Sequence, residues 1–238
     1  MLRTILGFTK FWFCLFGKIL PLAVAKRLDR EGKIAERDAL VKKNVTSWAR
    51  FVVGLSGSTI EVIGEENVPS DTAVVFIANH QGDFDIPILL GYIEKSKAFI
   101  SKIEILRIPV LSGWMKLMQC TFLDRKNMRQ SVRAMAEAVL TVQRGYSLVV
   151  FPEGTRSRGR PVGEFKAGSF KLALKTGVPI VPVTIDGSWH LFEETKLFKS
   201  ANVRVTIHPA IATAGLSREE ATALPGRVRD IIISAMRK

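Results

Sequence analysis

From Thr59 onward the chain alternates short β-rich runs with helical stretches, and that alternation leaves few architectures open to it. The runs fall at 59–63, 73–78, 97–101, 120–123, 147–151, 180–185 and 203–207. Between them the clearest helical pattern covers 128–144, where Ala134, Ala136 and Ala138 recur, and a shorter one covers 168–175. Ser217 with Glu220 three residues on opens a C-terminal helix with a capping-box pattern. Strands alternating with helices predict an α/β fold, a largely parallel central sheet flanked by helices on both faces. The 238 residues suffice for one large core. No internal repeat or low-complexity linker divides them, so the economical organisation is a helical segment at 1–55 and a domain at 56–238.

The first 25 residues differ in character. Ile5, Leu6, Phe8, Phe11, Trp12, Phe13, Leu15, Phe16, Ile19 and Leu20 crowd together, broken by Arg3, Lys10 and Lys18. Those charges cut the run into pieces shorter than the ~20 apolar residues a bilayer crossing needs. Lys10 and Lys18 stand near the ends of the most apolar part, where a lysine can snorkel to the interface. A membrane-associating segment lying in one leaflet is the expectation. Its rivals are a secretory leader with Ala23-Val24-Ala25 as a cleavage-like site, and a plain core helix. Residues 26–55 show roughly helical apolar spacing and predict one long amphipathic helix, its mixed charges facing water or lipid headgroups.

A formal charge of +13 implies a negatively charged partner: nucleic acid, anionic lipid or a phosphorylated substrate. No nucleic acid is expected, because no helix-turn-helix, zinc-finger or RNA-binding signature is present. Cys14 and Cys120 have no spacing suited to a disulfide framework, and three histidines assemble no metal cluster. Exposure to a reducing cytosol fits that usage.

Two polar clusters stand directly after apolar strands, where parallel sheets bind ligands. The first is Asn79-His80-Gln81-Gly82-Asp83-Phe84-Asp85. A histidine beside carboxylates can be a general base with its orienting group, and Asp83 and Asp85 are both available for that partnership. Positions five apart on a continuous helix lie about 140° round from each other. His80 and Asp85 therefore meet only if Gly82 lets the chain turn and Asp85 opens the next helix, which Pro87 in a first turn suits. The other reading is a polar turn with Asp85 as a simple N-cap. The second cluster, Phe151-Pro152-Glu153-Gly154-Thr155-Arg156-Ser157-Arg158, offers a glycine for positive φ and arginines suited to bidentate phosphate contact. Glu153 there is placed to hold an arginine or to accept from a substrate hydroxyl. Arg125 and Lys102 follow two further strands, each weak taken singly. His190 and His208 have no acidic neighbour at catalytic spacing and read as structural, and no G-x-S-x-G elbow exists.

Taken together these stretches resemble a family. Asn79-His80 with Asp85 is similar to the N-H-x4-D motif of the lysophosphatidic acid acyltransferases, the PlsC-like glycerolipid acyltransferases. Phe122-Leu123-Asp124-Arg125 resembles their second block, residues 151–158 their third almost letter for letter, and 178–183 their fourth. The resemblance covers roughly 62–207, in the family's order and spacing. It departs at Gly82, where many members carry serine; the loss removes a hydroxyl but no group the mechanism needs.

The resemblance implies the glycerolipid acyltransferase fold and an enzyme of phospholipid biosynthesis. Its reaction would move an acyl group from acyl-CoA or acyl-carrier protein to 1-acyl-sn-glycerol-3-phosphate, with no cofactor or metal. The family spacing selects Asp85 over Asp83, making His80 the base and Asp85 its orienter. Glu153, Gly154, Thr155 and Arg156 are implied to bind the acceptor, with Arg125 and Lys102 adding phosphate contacts. The apolar N terminus and the basic surface would then hold the protein on anionic lipid at the cytosolic face of the cytoplasmic membrane. Other acceptors open to the same fold are a different lysophospholipid, lyso-ornithine lipid or glycerol-3-phosphate. A catalytically silent lipid-binding protein is the reading from another class, and an intact base and orienter disfavours it.

Overall fold

The computed structural model describes residues 1–124 and 126–237. Within them seven strands form one sheet: β1 (Thr59–Ile63), β2 (Val75–Ala78), β3 (Lys97–Lys102), β4 (Thr121–Leu123), β5 (Ser147–Val150), β6 (Ile180–Asp186) and β7 (Asn202–Ile207). Their order is β1-β7-β6-β2-β5-β3-β4, and every pairing is parallel except β6 with β7. The expected α/β architecture is borne out. Strands β2, β5 and β6 are buried along their whole length. That explains their unbroken apolar runs, since a strand covered on both faces has no solvent side for polar residues. The edge strand β1 alternates between half-buried and exposed positions.

Among the described residues eight α-helices accompany the sheet: α1 (Leu2–Gly17), α2 (Ile19–Arg30), α3 (Ile34–Ser56), α4 (Asp85–Tyr92), α5 (Pro109–Leu117), α6 (Met128–Gln143), α7 (Lys171–Thr176) and α8 (Arg218–Ser234). Asn127 caps α6 by accepting from the Gln130 amide at 3.1 Å. The capping box of Ser217 and Glu220 is formed in full.

The expected single helix over 26–55 is corrected. It breaks between α2 and α3, where Gly32 takes φ 70° and turns the chain. Nor is its charged face uniformly solvated. Arg37 is buried, paired with Asp29 and Asp38 and donating to the Tyr146 hydroxyl at 2.6 Å. Apolar positions of α2 and α3, among them Leu22, Ala25, Val45, Ala49 and Val53, join the same core as the strands.

At the N terminus, the helical run Leu2–Arg30 is long and apolar enough by length and composition to cross a membrane, with a mean hydropathy of 1.4 and only 17% of that window buried. That run is not one unbroken helix, because the chain turns at Lys18 between α1 and α2. Lys18 does not reach outward: its ammonium donates to Asn44 at 3.1 Å and Ser47 at 3.0 Å on α3. The large apolar side chains left uncovered include Phe13, Phe16 and Leu20.

One buried charge carries a stability consequence. Lys97, at the start of β3, donates to the carbonyls of Leu89 at 2.9 Å and Ile93 at 2.8 Å, closing the C-terminal end of α4. Burial lowers its pKa to about 7; Lys42 adds to the effect, and Glu94 and Glu65 oppose it. The unfolded chain therefore binds more protons than the native state between pH 7 and the ordinary lysine value of about 10.4. Stability from this group must rise with pH across that window. Measured by urea unfolding, the advantage of wild type over Lys97→Met should grow by up to about 1.4 kcal/mol per pH unit there. A difference that stays flat from pH 7 to 10 would mean the ammonium is not desolvated.

Candidate active site

Because β2, β5 and β6 are adjacent and parallel, the loops leaving their carboxyl ends converge at one edge of the sheet. The loop after β2 carries the first polar cluster. His80 Nδ1 stands 2.7 Å from Asp85 Oδ2. Asp85 is fully buried and is the first residue of α4, as the meeting of the two required. The simple N-cap reading fails, because Phe84 takes the N-cap position and the Asp85 carboxylate turns back into the loop. Its Oδ2 also accepts from the amides of Gln81 at 2.6 Å and Gly82 at 2.9 Å, and its Oδ1 from the Ser188 hydroxyl. Four donors thus hold one carboxylate, and the carboxylate holds one imidazole nitrogen. Nε2 is left as the nitrogen that can exchange a proton. The ring lies flat on Phe151, 4.1 Å between centroids and 16° between planes, with the side chain 16% exposed.

The second cluster is bound to the first through its backbone. The Ser157 amide donates to the His80 carbonyl at 2.7 Å, and the Arg158 amide to the Gln81 carbonyl at 3.1 Å. Glu153 is buried, and its two oxygens accept from the His80 amide at 2.8 Å and the Gly163 amide at 3.0 Å. This departs from the ion pair expected for Glu153. Among the described residues it holds no arginine, and its carboxylate is turned to backbone amides that set the height of His80 in the loop. Gly154 has the expected positive φ, 70°. Thr155 is exposed beside it.

Arg156 is half-buried and forms an ion pair with Asp83, while its Nη1 lies 3.7 Å from Glu193 Oε1. Asp83, the carboxylate that does not serve His80, is thereby given a separate partner. Lys102 ends β3 at the same sheet edge, two strands from β2, with its side chain in solvent. Arg125 lies outside the described residues.

The roles of several residues of the site are not legible in the sequence. Asn79 joins β2 to β6 by exchanging two 2.8 Å hydrogen bonds with the Ile185 backbone. The side-chain oxygen of Gln81 accepts from the amides of Gly187 at 2.9 Å and Ser188 at 3.0 Å. Ser188 and Glu193 come from the loop after β6, where the strand-end rule applies as it does after β2 and β5. The two prolines of that strand give it a structural character that masks the polar residues beyond its end. His190 is corrected too: its Nδ1 lies 3.3 Å from Glu194 Oε2. His208 contacts the Thr184 hydroxyl at 2.9 Å, and burial lowers its pKa. Gly82 is not in a positive-φ conformation. Its lack of a side chain matters for space instead, since a Cβ there would lie 2.3 Å from Glu193 Oε2.

Residues 59–186 match the family model described as Acyltransferase. A 1-acyl-sn-glycerol-3-phosphate acyltransferase of Borreliella burgdorferi is 34% identical over 183 residues, 76% of this chain and 73% of that protein. A probable 1-acyl-sn-glycerol-3-phosphate acyltransferase of Mycoplasma pneumoniae is 40% identical over 68% of this chain, which spans just under two thirds (62%) of that protein. Among solved structures, the crystal structure of the 1-acyl-sn-glycerophosphate acyltransferase PlsC from Thermotoga maritima superposes with a TM-score of 0.84 at 31% identity, covering 100% of this chain and 98% of that one. The family model takes in all four motif blocks and ends with β6, before the loop that carries Ser188 and Glu193, so the resemblance read from the motifs is borne out. This chain belongs to the acyltransferase family.

Proposed function

We propose that this chain transfers a fatty acyl group from acyl-CoA or acyl-carrier protein to the free hydroxyl of 1-acyl-sn-glycerol-3-phosphate, forming phosphatidic acid. The observation that carries the reading is the 2.7 Å contact between His80 Nδ1 and a fully buried Asp85, which leaves Nε2 to act on substrate. In the reaction Nε2 takes the proton of the acceptor hydroxyl as its oxygen attacks the thioester carbonyl. Asp85 stabilises the imidazolium that forms. The tetrahedral intermediate expels the thiolate, which takes the proton back from the imidazolium. A thioester is already an activated donor, so no acyl-enzyme is needed, and no cofactor enters. The names carried by the Borreliella and Thermotoga relatives support the acceptor.

Arg156 receives the acceptor's phosphate, with Lys102 at the margin and the Gly154-Thr155 turn beside it, and Arg125 is the further phosphate ligand that the family motif implies. Arg156→Ala should raise the KM for 1-acyl-sn-glycerol-3-phosphate by about tenfold or more, the loss of a hydrogen bond to a charged group. Unchanged kinetics would place the phosphate elsewhere.

The enzyme works from the cytosolic face of the cytoplasmic membrane, held by its apolar N terminus and basic surface. α1 supports this placement because Phe8 packs on Phe198 at 5.1 Å and Phe198 on Phe84 at 5.6 Å, one residue from Asp85. These ring contacts set α1 beside the loop that carries the base, and the proposal has the lipid acceptor enter there. Phe13, Phe16 and Leu20 are 73%, 61% and 79% exposed. Replacing all three by serine should weaken co-sedimentation with anionic vesicles by on the order of a hundredfold or more, at an unaltered Tm. Undiminished sedimentation would exclude this face as the anchor.

The deciding experiment is an acceptor panel: purified protein in vesicles, one radiolabelled acyl-CoA, and in parallel the same acyl group on carrier protein. Preference for 1-acyl-sn-glycerol-3-phosphate supports the proposal. Faster acylation of glycerol-3-phosphate, lyso-ornithine lipid or another lysophospholipid would overturn the acceptor, and no transfer to any would overturn the activity.

A further inference from the structure

Beneath the 82–83 turn lies a carboxylate that neither the motif blocks nor the proton transfer uses. Glu193 stands seven residues beyond the end of β6, and its side chain is 1% exposed. Oε1 accepts from the Asp83 amide at 2.7 Å and lies 3.7 Å from Arg156 Nη1. Among the described residues Oε2 is buried without a hydrogen-bond partner, in the space that a Cβ on Gly82 would need. An unpaired buried carboxylate oxygen is costly and is rarely retained without a use.

We propose that Glu193 is a positioning residue for acceptor binding: it fixes the 82–83 turn and, through it and directly, the guanidinium of Arg156, with Gly82 as the space it occupies. The inference rests on Arg156 being the phosphate ligand. The same Arg156 nitrogen faces two carboxylates of opposite exposure. Asp83 is 62% exposed and Glu193 is buried. A phosphate arriving from solvent displaces the Asp83 side chain and finds the guanidinium still held from behind. The groups facing Glu193 are Asp83 and Asp85 on the first loop and Arg156 on the second. Burial, followed by the repulsion of Asp83 and Asp85, raises its pKa, while the Asp83 amide works the other way. Gly82 and Glu193 are thus one device split between two loops. A serine at position 82 and a glutamate at position 193 compete for the same volume.

The test measures acylation by the full chain in vesicles, varying acceptor and donor separately, with Arg156→Ala as reference. Glu193→Ala should raise the acceptor KM by about tenfold while leaving the donor KM and the Tm near wild type. Glu193→Gln keeps the acceptor for the Asp83 amide and the volume, and should restore the acceptor KM to within a few-fold. Gly82→Ser should reproduce the Glu193→Ala defect, and Gly82→Ser/Glu193→Ala should be no worse than Glu193→Ala alone, a non-additivity expected of groups in contact. If Arg156→Ala raises the acceptor KM and Glu193→Ala does not, Glu193 has no positioning role. That role is equally excluded if Glu193→Ala lowers kcat and Tm together and Glu193→Gln restores neither. Should Arg156→Ala itself leave the acceptor KM unaltered, the phosphate reading falls and this inference with it.

Discussion

His80→Ala should lower kcat for acyl transfer by roughly 10²- to 10⁴-fold, the range a positioned general base supplies, while the acceptor KM changes little. The reason is local. The imidazole contacts the rest of the site through Asp85 and by stacking on Phe151, and neither contact reaches toward the Arg156 pair. Its backbone remains bound by Glu153 and Ser157 whatever side chain is present. Removing the ring therefore removes proton transfer and leaves the loop in place. Initial rates with radiolabelled acyl-CoA check this, and turnover within tenfold of wild type would rule out His80 as the base.

Asp85→Asn tests the orienting charge separately from the geometry. Asparagine keeps one oxygen, which can face His80 Nδ1 and the amides of Gln81 and Gly82 as Oδ2 now does. Its NH2 would then point at Ser188. That hydroxyl can accept from it, because it has a second acceptor for its own proton in the Gln81 side-chain oxygen at 3.1 Å. The loop should hold and the Tm should change little. What is lost is the negative charge facing the imidazolium in the transition state, and kcat should fall by about a thousandfold. A kcat near wild type would show that Asp85 only shapes the loop. A collapse of Tm alongside kcat would show that the buried charge maintains the fold and that its catalytic part is not separable by this substitution.

The pairing of His80 with Asp85 was legible because both belong to one short loop after one strand, where spacing along the chain translates into spacing in space. The basic turn that carries Arg156 was legible for the same reason. The role of Glu153 was not. Its neighbours, two arginines, suggested ion pairing, yet the close packing of the loops after β2 and β5 presents it with backbone amides first. Lys18 departs from expectation in a similar way: an exposed-looking charge in an apolar run is drawn to polar side chains on a helix that lies far along the chain. The long helix over 26–55 had the right periodicity on both sides of Gly32, and one residue at positive φ was enough to divide it.

By itself the sequence determined the strands, the largely parallel sheet, the loop that holds His80 and Asp85, and the basic turn that follows β5. Each rests on short-range regularities: apolar runs of strand length, helical spacing, caps, and polar residues directly after a strand. Beyond Asp85, which the family spacing selects, only the tertiary structure decided which carboxylate meets which partner. Ser188 reaches Asp85 across 103 positions and Glu193 reaches the Asp83 amide across 110. Three parallel strands bring those loops to one edge, and a carboxylate in a dry, crowded edge takes whichever donors the neighbouring loops present. Chain spacing contains no record of those long-range choices. They are made by which strands lie side by side, and here that order gives Glu153 to the backbone and Glu193, with Asp83, to the arginine.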